Sequence, residues 1–257
     1  MKKMIKLLAF ALVCVMLLPL FTACTEERNG DVYVIYSEKE FAPFEYYDED
    51  SESYVGVDMD ILAAIAKDRG FEYEVKHVVF DEAMTAVQAG QADAMMAGMT
   101  ISEKRKATFD FSDGYFENGS ILVVAEDSGI ASLEDLSGKT VAVKKGTTSA
   151  TYAETVKIEY GFDIAYASES PEMYNNVVSG NADACFEDYS SIGWTIKNGE
   201  YKLKTVGDMV NLGYYGFAVK KGQNWELLAM FYEGLKNIKE SGEYAEILAR
   251  YGYTAEE

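Results

Sequence analysis

Histidine and cysteine are nearly absent from this chain, and two classes of chemistry go with them. One histidine, His77, stands among 257 residues. It falls in a strand pattern and reads as structural. The three cysteines, Cys14, Cys24 and Cys185, have no zinc-site spacing and form no Cys/His pair. No Gly-x-Ser-x-Gly turn offers an activated serine. Positive charge is also scarce: 23 lysines and arginines stand against 43 acids, for a net charge of −20. Such a surface is repelled by phosphate backbones and anionic membranes, which argues against nucleic acid as a partner. The plain reading of that charge is solubility. Paired acids prove nothing in a chain this rich in them.

Only one long apolar run is present. Lys2, Lys3 and Lys6 precede 15 apolar residues, Leu7 to Phe21, with Pro19 near the end. That is short of the roughly 20 residues a membrane span needs, and suits the apolar region of a signal peptide. Thr22 and Ala23 then lead into Cys24. The segment resembles a bacterial lipoprotein signal: residues 1–23 are removed, Cys24 is lipidated, and 24–30 form a polar tether. One departure is Phe21, where such signals usually carry Leu. Cleavage removes three lysines and no acids, taking the net charge from −20 to about −23. Cys185 is then the only unmodified thiol, so no intrachain disulfide is expected, and its apolar surroundings predict a buried core position.

With 49% hydrophobic and 26% charged residues, the rest of the chain can build a core. Strand and helix patterns alternate from Asp31 onward. Strands are expected at Val32–Tyr36, Phe71–Val79, Asp93–Ala97 and Ile121–Ala125. The spacing of Ile61, Leu62, Ile65 and Ala66 predicts a helix over Asp58–Arg69 that stops at Gly70. Asp81 is expected to cap the helix ending near Ala89, and Ser102 a turn carrying Lys104 and Arg105. A second series follows: strands at Thr140–Val143, Ile164–Ala167, Ala182–Phe186, Lys202–Val206 and Tyr214–Val219, with helices at Thr148–Tyr160, Pro171–Ser179 and Ser190–Lys197. Two helices, Trp225–Glu240 and Glu243–Tyr251, close the chain. Alternation of this kind implies mostly parallel sheets covered by helices, an α/β protein. The halves also rhyme: Ala89-Gly-Gln-Ala-Asp-Ala94 matches Ser179-Gly-Asn-Ala-Asp-Ala184.

Six segments then occur in a telling order: Phe41-Ala-Pro-Phe-Glu45, Gly56-Val-Asp-Met-Asp60, Ala97-Gly-Met-Thr-Ile-Ser-Glu-Lys-Arg105, Phe109-Asp-Phe-Ser-Asp113, Lys145-Gly-Thr-Thr148 and Glu187-Asp188. Through them residues 31–253 resemble the family 3 bacterial extracellular solute-binding proteins, which serve polar amino acid importers driven by ATP. The resemblance implies the type II periplasmic-binding-protein fold, with two Rossmann-like lobes joined by a two-strand hinge. Lobe 1 is expected at 31–120 and 220–257, lobe 2 at 126–212, and the hinge strands at 121–125 and 213–219.

A free amino acid carries a carboxylate and an ammonium, and both need charged, hydrogen-bonded partners once out of water. Arg105 offers a planar fork for the carboxylate. Backbone amides near Gly98, Thr100 and Thr148 can add donors, the last at a helix N-terminus. Asp188 offers a carboxylate for the ammonium. Alternatively, Arg105 lies on a solvated helix among Glu103, Lys104 and Lys106, and Asp188 is a helix N-cap. The resemblance further places Phe41 and Phe80 as aromatic walls, against the alternative of plain core positions, Glu38 as the acid that reads the ligand side chain and Lys144 as another polar contact, against the alternative that either is solvated.

Glu38 stands where Asp is frequent in the glutamine subgroup, Thr148 replaces Gly, and Glu187 adds an acid. The segment Tyr215-Gly-Phe-Ala-Val-Lys-Lys-Gly-Gln223 looks glutamine-like. Glutamine is therefore the favoured ligand, with arginine, lysine or histidine second. The implied partners are the free amino acid, a transporter permease and, through Cys24, the outer face of the cell membrane. No cofactor or metal is expected, and the protein is expected to act as a monomer and not as an enzyme. The main rival is an enzyme on the same fold, such as a dehydratase. A sensor domain would continue into a membrane segment after its last helix, and with Glu257 last that reading is not the expectation.

Overall fold

The computed structural model describes residues 32–199 and 201–255. The expected signal peptide, the lipidation site Cys24 and the tether lie outside the described residues. Among the described residues no helix is long and apolar enough to cross a membrane.

Two five-stranded sheets carry the structure. The first runs Glu72–Val78, Val32–Glu38, Ala94–Met95, Ala218–Lys220, Phe109–Phe111, and the second runs Asp163–Ala167, Thr140–Lys144, Ala184–Asp188, Phe116–Ala125, Leu203–Tyr215. In each, the first three strands are parallel and the fourth runs against them. The strand that begins each αβ series lies second in its sheet, so the two sheets repeat one topology. A three-stranded meander, Glu40–Phe41, Glu45–Asp48 and Ser53–Val55, forms a small third sheet.

The rhyme between the halves has a structural cause. Asp93 Oδ2 accepts the Val34 N–H at 2.9 Å, and Asp183 Oδ2 accepts the Thr140 N–H at 2.9 Å. Each aspartate also donates its own N–H, to Val34 O and Thr140 O respectively, both at 2.8 Å. In both sheets an aspartate thus closes a two-bond ring onto the neighbouring strand and sets its register.

Strand alternation sends side chains to opposite sheet faces. Ile35 joins Ile61, Leu62, Ile65, Phe217, Phe231 and Leu235 in one cluster, while Val34 and Tyr36 face Phe80, Val87, Met95 and Phe109 on the other side. In the second sheet Ile121, Val123 and Cys185 pack with Met173 and Val177, and Leu122, Val124 and Phe186 pack with Ala150 and Ala153. Each large side chain so buried contributes about 1.5–3 kcal/mol. Cys185 is buried and unbonded.

Several boundaries differ from expectation for local reasons. Helix Phe80–Ala89 has Val79 at its N-cap position and Asp81 in its first turn, because the strand runs directly into the helix. Strand Asp93–Ala97 shrinks to Ala94–Met95, as Asp93 is occupied by the ring described above. Strand Ala182–Phe186 is shifted to Ala184–Asp188 for the same reason at Asp183. The expected strand Ile121–Ala125 is the second half of Phe116–Ala125 and lies wholly inside the second sheet, paired with both its neighbours. Lys202–Val206 and the start of Tyr214–Val219 fuse into one strand, Leu203–Tyr215. Gly207 at φ 74 and Asn211 at φ 54 mark its irregular middle, where the pairing register shifts. The polar composition there hid the continuity.

Loop Phe41–Phe44 caps helix Val57–Arg69: Pro43 O accepts the Val57 N–H and Phe44 O the Asp58 N–H, each at 2.9 Å. This closeness demands glycine at position 56, where φ is +136° and an added Cβ would lie 2.2 Å from Phe44 O. Gly56→Ala is expected to destabilise the protein by at least ~2 kcal/mol in a denaturant melt. A melt matching the wild type would contradict this account of the cap.

Candidate functional site

Parallel strands of both sheets end at one small cavity. Its lining comprises Glu38, Phe41, Phe80, Gly98, Thr100, Arg105, Lys144, Thr148 and Asp188, together with Ala97, Thr147 and Glu187. All nine candidates from the sequence therefore lie around one space. Glu38 ends the strand Val32–Glu38, Lys144 ends its counterpart Thr140–Lys144, and Asp188 ends Ala184–Asp188. Carboxyl ends of strands are where open α/β sheets form crevices.

Arg105 does not follow its solvated neighbours. Glu103, Lys104 and Lys106 are exposed, whereas Arg105 is 7% exposed. Ser102 caps the turn by accepting the Arg105 N–H at 3.3 Å, which turns the side chain inward. The guanidinium donates to Thr100 O at 2.6 Å and, across the cleft, to Gly146 O at 3.0 Å. It lies 5.2 Å over the Phe80 ring. Burial lowers its pKa to about 10, against the attraction of Asp188, so it is charged at neutral pH. Two bonds leave a five-donor fork with donors to spare.

Lys144 Nζ bridges both carboxylate oxygens of Glu38 at 2.9 Å and sits 4.2 Å over the Phe41 ring. This ion pair joins the first sheet to the second and is almost fully buried. Burial pushes the Glu38 carboxyl up to about 7, although Lys144 pulls it back. Burial also works against the Lys144 ammonium, but the combined pull of Glu38, Glu187 and Asp188 raises it above its ordinary value.

Asp188 occupies the N-cap position of helix Tyr189–Lys197, yet its side chain makes no capping bond. Its Oδ1 accepts from Ser149 Oγ at 3.1 Å and its Oδ2 from the Tyr215 hydroxyl at 2.7 Å. Burial, with the nearby Glu187, raises its pKa to about 6, and the Tyr215 bond opposes the rise. Glu187 accepts from the Tyr174 hydroxyl at 2.9 Å and the Asp188 N–H at 2.8 Å. Thr148 Oγ1 reaches Thr100 Oγ1 at 3.4 Å across the cleft. Gly98, at φ +49°, lets the Phe41 ring approach, since an added Cβ would lie 2.4 Å from Phe41 Cε1.

The sequence reading did not place Ala97, Thr147 or Glu187 on the lining, nor Ser149 and Tyr215 behind Asp188. Glu187 stood out only as an extra acid. Tyr215 is 27 residues from Asp188, and no local pattern announces the bond. His77 is set back from the cavity, stacked on Tyr54 with Nδ1 3.2 Å from Glu38 O. A larger groove lined by Tyr115, Tyr189, Tyr214 and Tyr253 brings no comparable set of charges together.

Replacing Tyr215 by Phe removes a donor to a buried carboxylate, a bond worth about 1.5 kcal/mol. The Asp188 titration midpoint is expected to rise by roughly 1 pH unit in carboxyl-resolved carbon NMR. An unmoved midpoint would contradict the bond.

The arginine-binding extracellular protein ArtP of Bacillus subtilis is 30% identical over 257 residues, covering 98% of each chain. Ancestral arginine-binding proteins solved with arginine and with glutamine are each 36% identical over 86% of this chain, covering 98% and 97% of theirs, with TM-scores of 0.80 and 0.79. GlnP substrate binding domain 2 of Lactococcus lactis, in an open conformation, is 39% identical over 87% of this chain and 96% of its own, yet its TM-score is 0.60. The profile of the bacterial extracellular solute-binding proteins, family 3, matches residues 33–254, and the chain belongs to that family, with its type II periplasmic-binding-protein fold.

Proposed function

We propose that the protein captures a free polar amino acid, glutamine foremost, in the cavity between its two sheets and delivers it to the permease of an ATP-driven importer. One observation carries this reading: a buried guanidinium on the first sheet's side and a buried carboxylate ending a strand of the second face one small cavity. Arg105 holds the ligand carboxylate through its free donors, and Asp188 holds the ammonium. Gly98, Thr100 and Thr148 add polar contacts, with Thr148 at the start of helix Thr148–Tyr160, whose dipole favours an anion.

The other end of the cavity favours a carboxamide. Glu38 accepts and Lys144 donates, side by side, which is the complement of a primary amide. A cationic side chain would have to sit beside the Lys144 ammonium. The second reading, a cationic ligand, is favoured by the third acid: Glu38, Glu187 and Asp188 outnumber Arg105 and Lys144 on the lining.

Binding by two lobes implies closure, because only the closed state offers both charged partners. Lobe 1 is assigned to 31–120 and 220–257 and lobe 2 to 126–212. The pairing of Phe116 with Tyr215 and Asn118 with Gly213, just before the chain enters the first sheet at Ala218, favours a hinge nearer 112–118 and 213–217 than 121–125. The higher TM-scores to ligand-bound relatives than to the open one support a closed arrangement here. Lys39 pairs with Glu169 at 2.6 Å and Ser191 Oγ donates to Ala42 O at 2.7 Å, so contacts outside the cavity also favour closure. A micromolar Kd corresponds to about −8 kcal/mol, which two buried charge pairs and aromatic walls supply after ordering costs. Lipid on Cys24 keeps the monomer at the outer face of the cell membrane. The protein acts by binding, without turnover.

Screening the common amino acids by thermal shift tests this. At a hundredfold excess over Kd the ligand adds about 2.7 kcal/mol, or roughly 5–10 °C in Tm for a chain of this size. Glutamine is expected to give the largest rise. A rise with arginine, lysine or histidine alone would select the second reading, and none with any amino acid would overturn the function. Arg105→Ala is expected to abolish binding with its fold intact by circular dichroism; wild-type affinity would remove Arg105 from the site. Turnover of a bound amino acid would revive the enzyme reading.

A further inference from the structure

Two carboxyl groups lie behind the cavity wall with no cation bonded to either. Glu45 begins strand Glu45–Asp48, Asp58 is the second residue of helix Val57–Arg69, and both are fully buried. Neither oxygen of Glu45 meets a donor, and neither does Asp58 Oδ1. Asp58 Oδ2, by contrast, accepts the Gly98 N–H at 2.8 Å and the Tyr115 hydroxyl at 2.7 Å. The Asp58 N–H donates to the carbonyl of Phe44, the residue before Glu45, at 2.9 Å, which brings the two acids together, and the Asp58 charge bears on the Glu45 carboxyl. Two carboxylates so placed in a dry interior repel strongly, and three orphaned oxygens add their own cost. A single retained proton removes both problems, because a protonated carboxyl is a donor.

We propose that Glu45 is a positioning residue of the ligand site: its carboxyl group donates a hydrogen bond to Asp58, and Asp58 in turn fixes the Gly98–Thr100 wall of the cavity. The inference rests on the reading of that cavity as the ligand site. Gly98 is the residue against which the Phe41 ring packs, and Phe41 is the backbone partner of Glu45 in the small sheet. Thr100, two residues on, supplies the carbonyl that anchors Arg105. One proton on Glu45 therefore bears on the aromatic wall and on the guanidinium together.

The surroundings decide which acid keeps the proton. Burial, then the charges of Asp58 and Glu38, push the Glu45 carboxyl well above its ordinary value of 4.5, with Lys144 acting weakly against them. Burial raises Asp58 to about 6, while Gly98, Tyr115 and Glu45 hold it down by hydrogen bonding. Asp58 is thus the ionised partner at neutral pH. The remaining titratable neighbours are Tyr115 and Tyr244, whose hydroxyl donates to Tyr115 O; burial raises both, so they stay neutral donors. Because the folded value of Glu45 is raised, its contribution to stability is complete below pH 4.5 and is lost as pH climbs through the folded value. Ligand affinity falls on the same alkaline limb, as a second charge splits the pair.

Three readouts test this. Infrared difference spectra of the ligand-free wild type and Glu45→Gln at neutral pH are expected to show one protonated-carboxyl stretch that the variant lacks. Exchange of the Gly98 amide is expected to be slow in the wild type and Glu45→Gln, and about tenfold faster or more in Glu45→Ala, matching a lost buried hydrogen bond. Calorimetric titration with glutamine, or with the amino acid the screen selects, is expected to give Glu45→Gln a Kd within about threefold of wild type without the alkaline loss, and Glu45→Ala a Kd weaker by about tenfold or more. Absence of the protonated band, or unchanged Gly98 exchange in Glu45→Ala, overturns the proposal. If Glu45→Ala does not fold, the protection of the Gly98 amide in the wild type, measured relative to its base-catalysed intrinsic exchange across alkaline pH, decides: a fall in protection supports the proposal and constant protection overturns it. If the wild type binds no amino acid, the ligand reading fails, while the two ligand-free readouts still decide the proton.

Discussion

The structure depends on keeping opposite charges apart from water without leaving any of them alone. Arg105, Lys144, Glu38, Glu187 and Asp188 are all buried around one cavity. A lone charge there would cost several kcal/mol, and only close partners offset that. Lys144 has Glu38. Asp188 has two hydroxyls, and Arg105 has two carbonyls, which leaves both with unmet capacity for full counter-charges. In the proposed function, that unmet capacity is what a zwitterion fills, and because the groups come from the two sides of the cleft, filling it couples binding to closure.

The topology explains how the charges arrive. Each sheet begins its series with a strand whose last residue is a cavity ion, Glu38 in one and Lys144 in the other. The two then meet across the cleft as a pair. The aspartate rings at Asp93 and Asp183 set the register of those same strands. A duplicated local device thus places complementary ions, and the differing final residues make the two halves attract.

Much of this could be read in the sequence. Helix Val57–Arg69 follows from its apolar spacing and the Gly70 stop, and the inward turn of Arg105 from Ser102 and the family motif. Phe41, Gly98, Thr100, Arg105, Thr148 and Asp188 were legible because short segments carry them, and the order of those segments along the chain matches the family. What stayed hidden was non-local. Tyr215 reaches Asp188 only because strand Leu203–Tyr215 runs unbroken beside Phe116–Ala125, and polar residues with two left-handed positions masked that strand. Residues 121–125, expected as a hinge strand, pair on both sides within the second sheet, with partners that no local pattern announces. Glu45 looked like one acid among many; its lack of any donor appears only when the Asp58 helix is folded against it.

The most direct measurement is a crystal structure of the protein grown with glutamine. The account predicts the ligand between the sheets, its carboxylate on the Arg105 guanidinium, its ammonium on Asp188 and its amide against Glu38 and Lys144. A ligand seated elsewhere, or an amino acid in the cavity whose carboxylate and ammonium touch neither Arg105 nor Asp188, would contradict it.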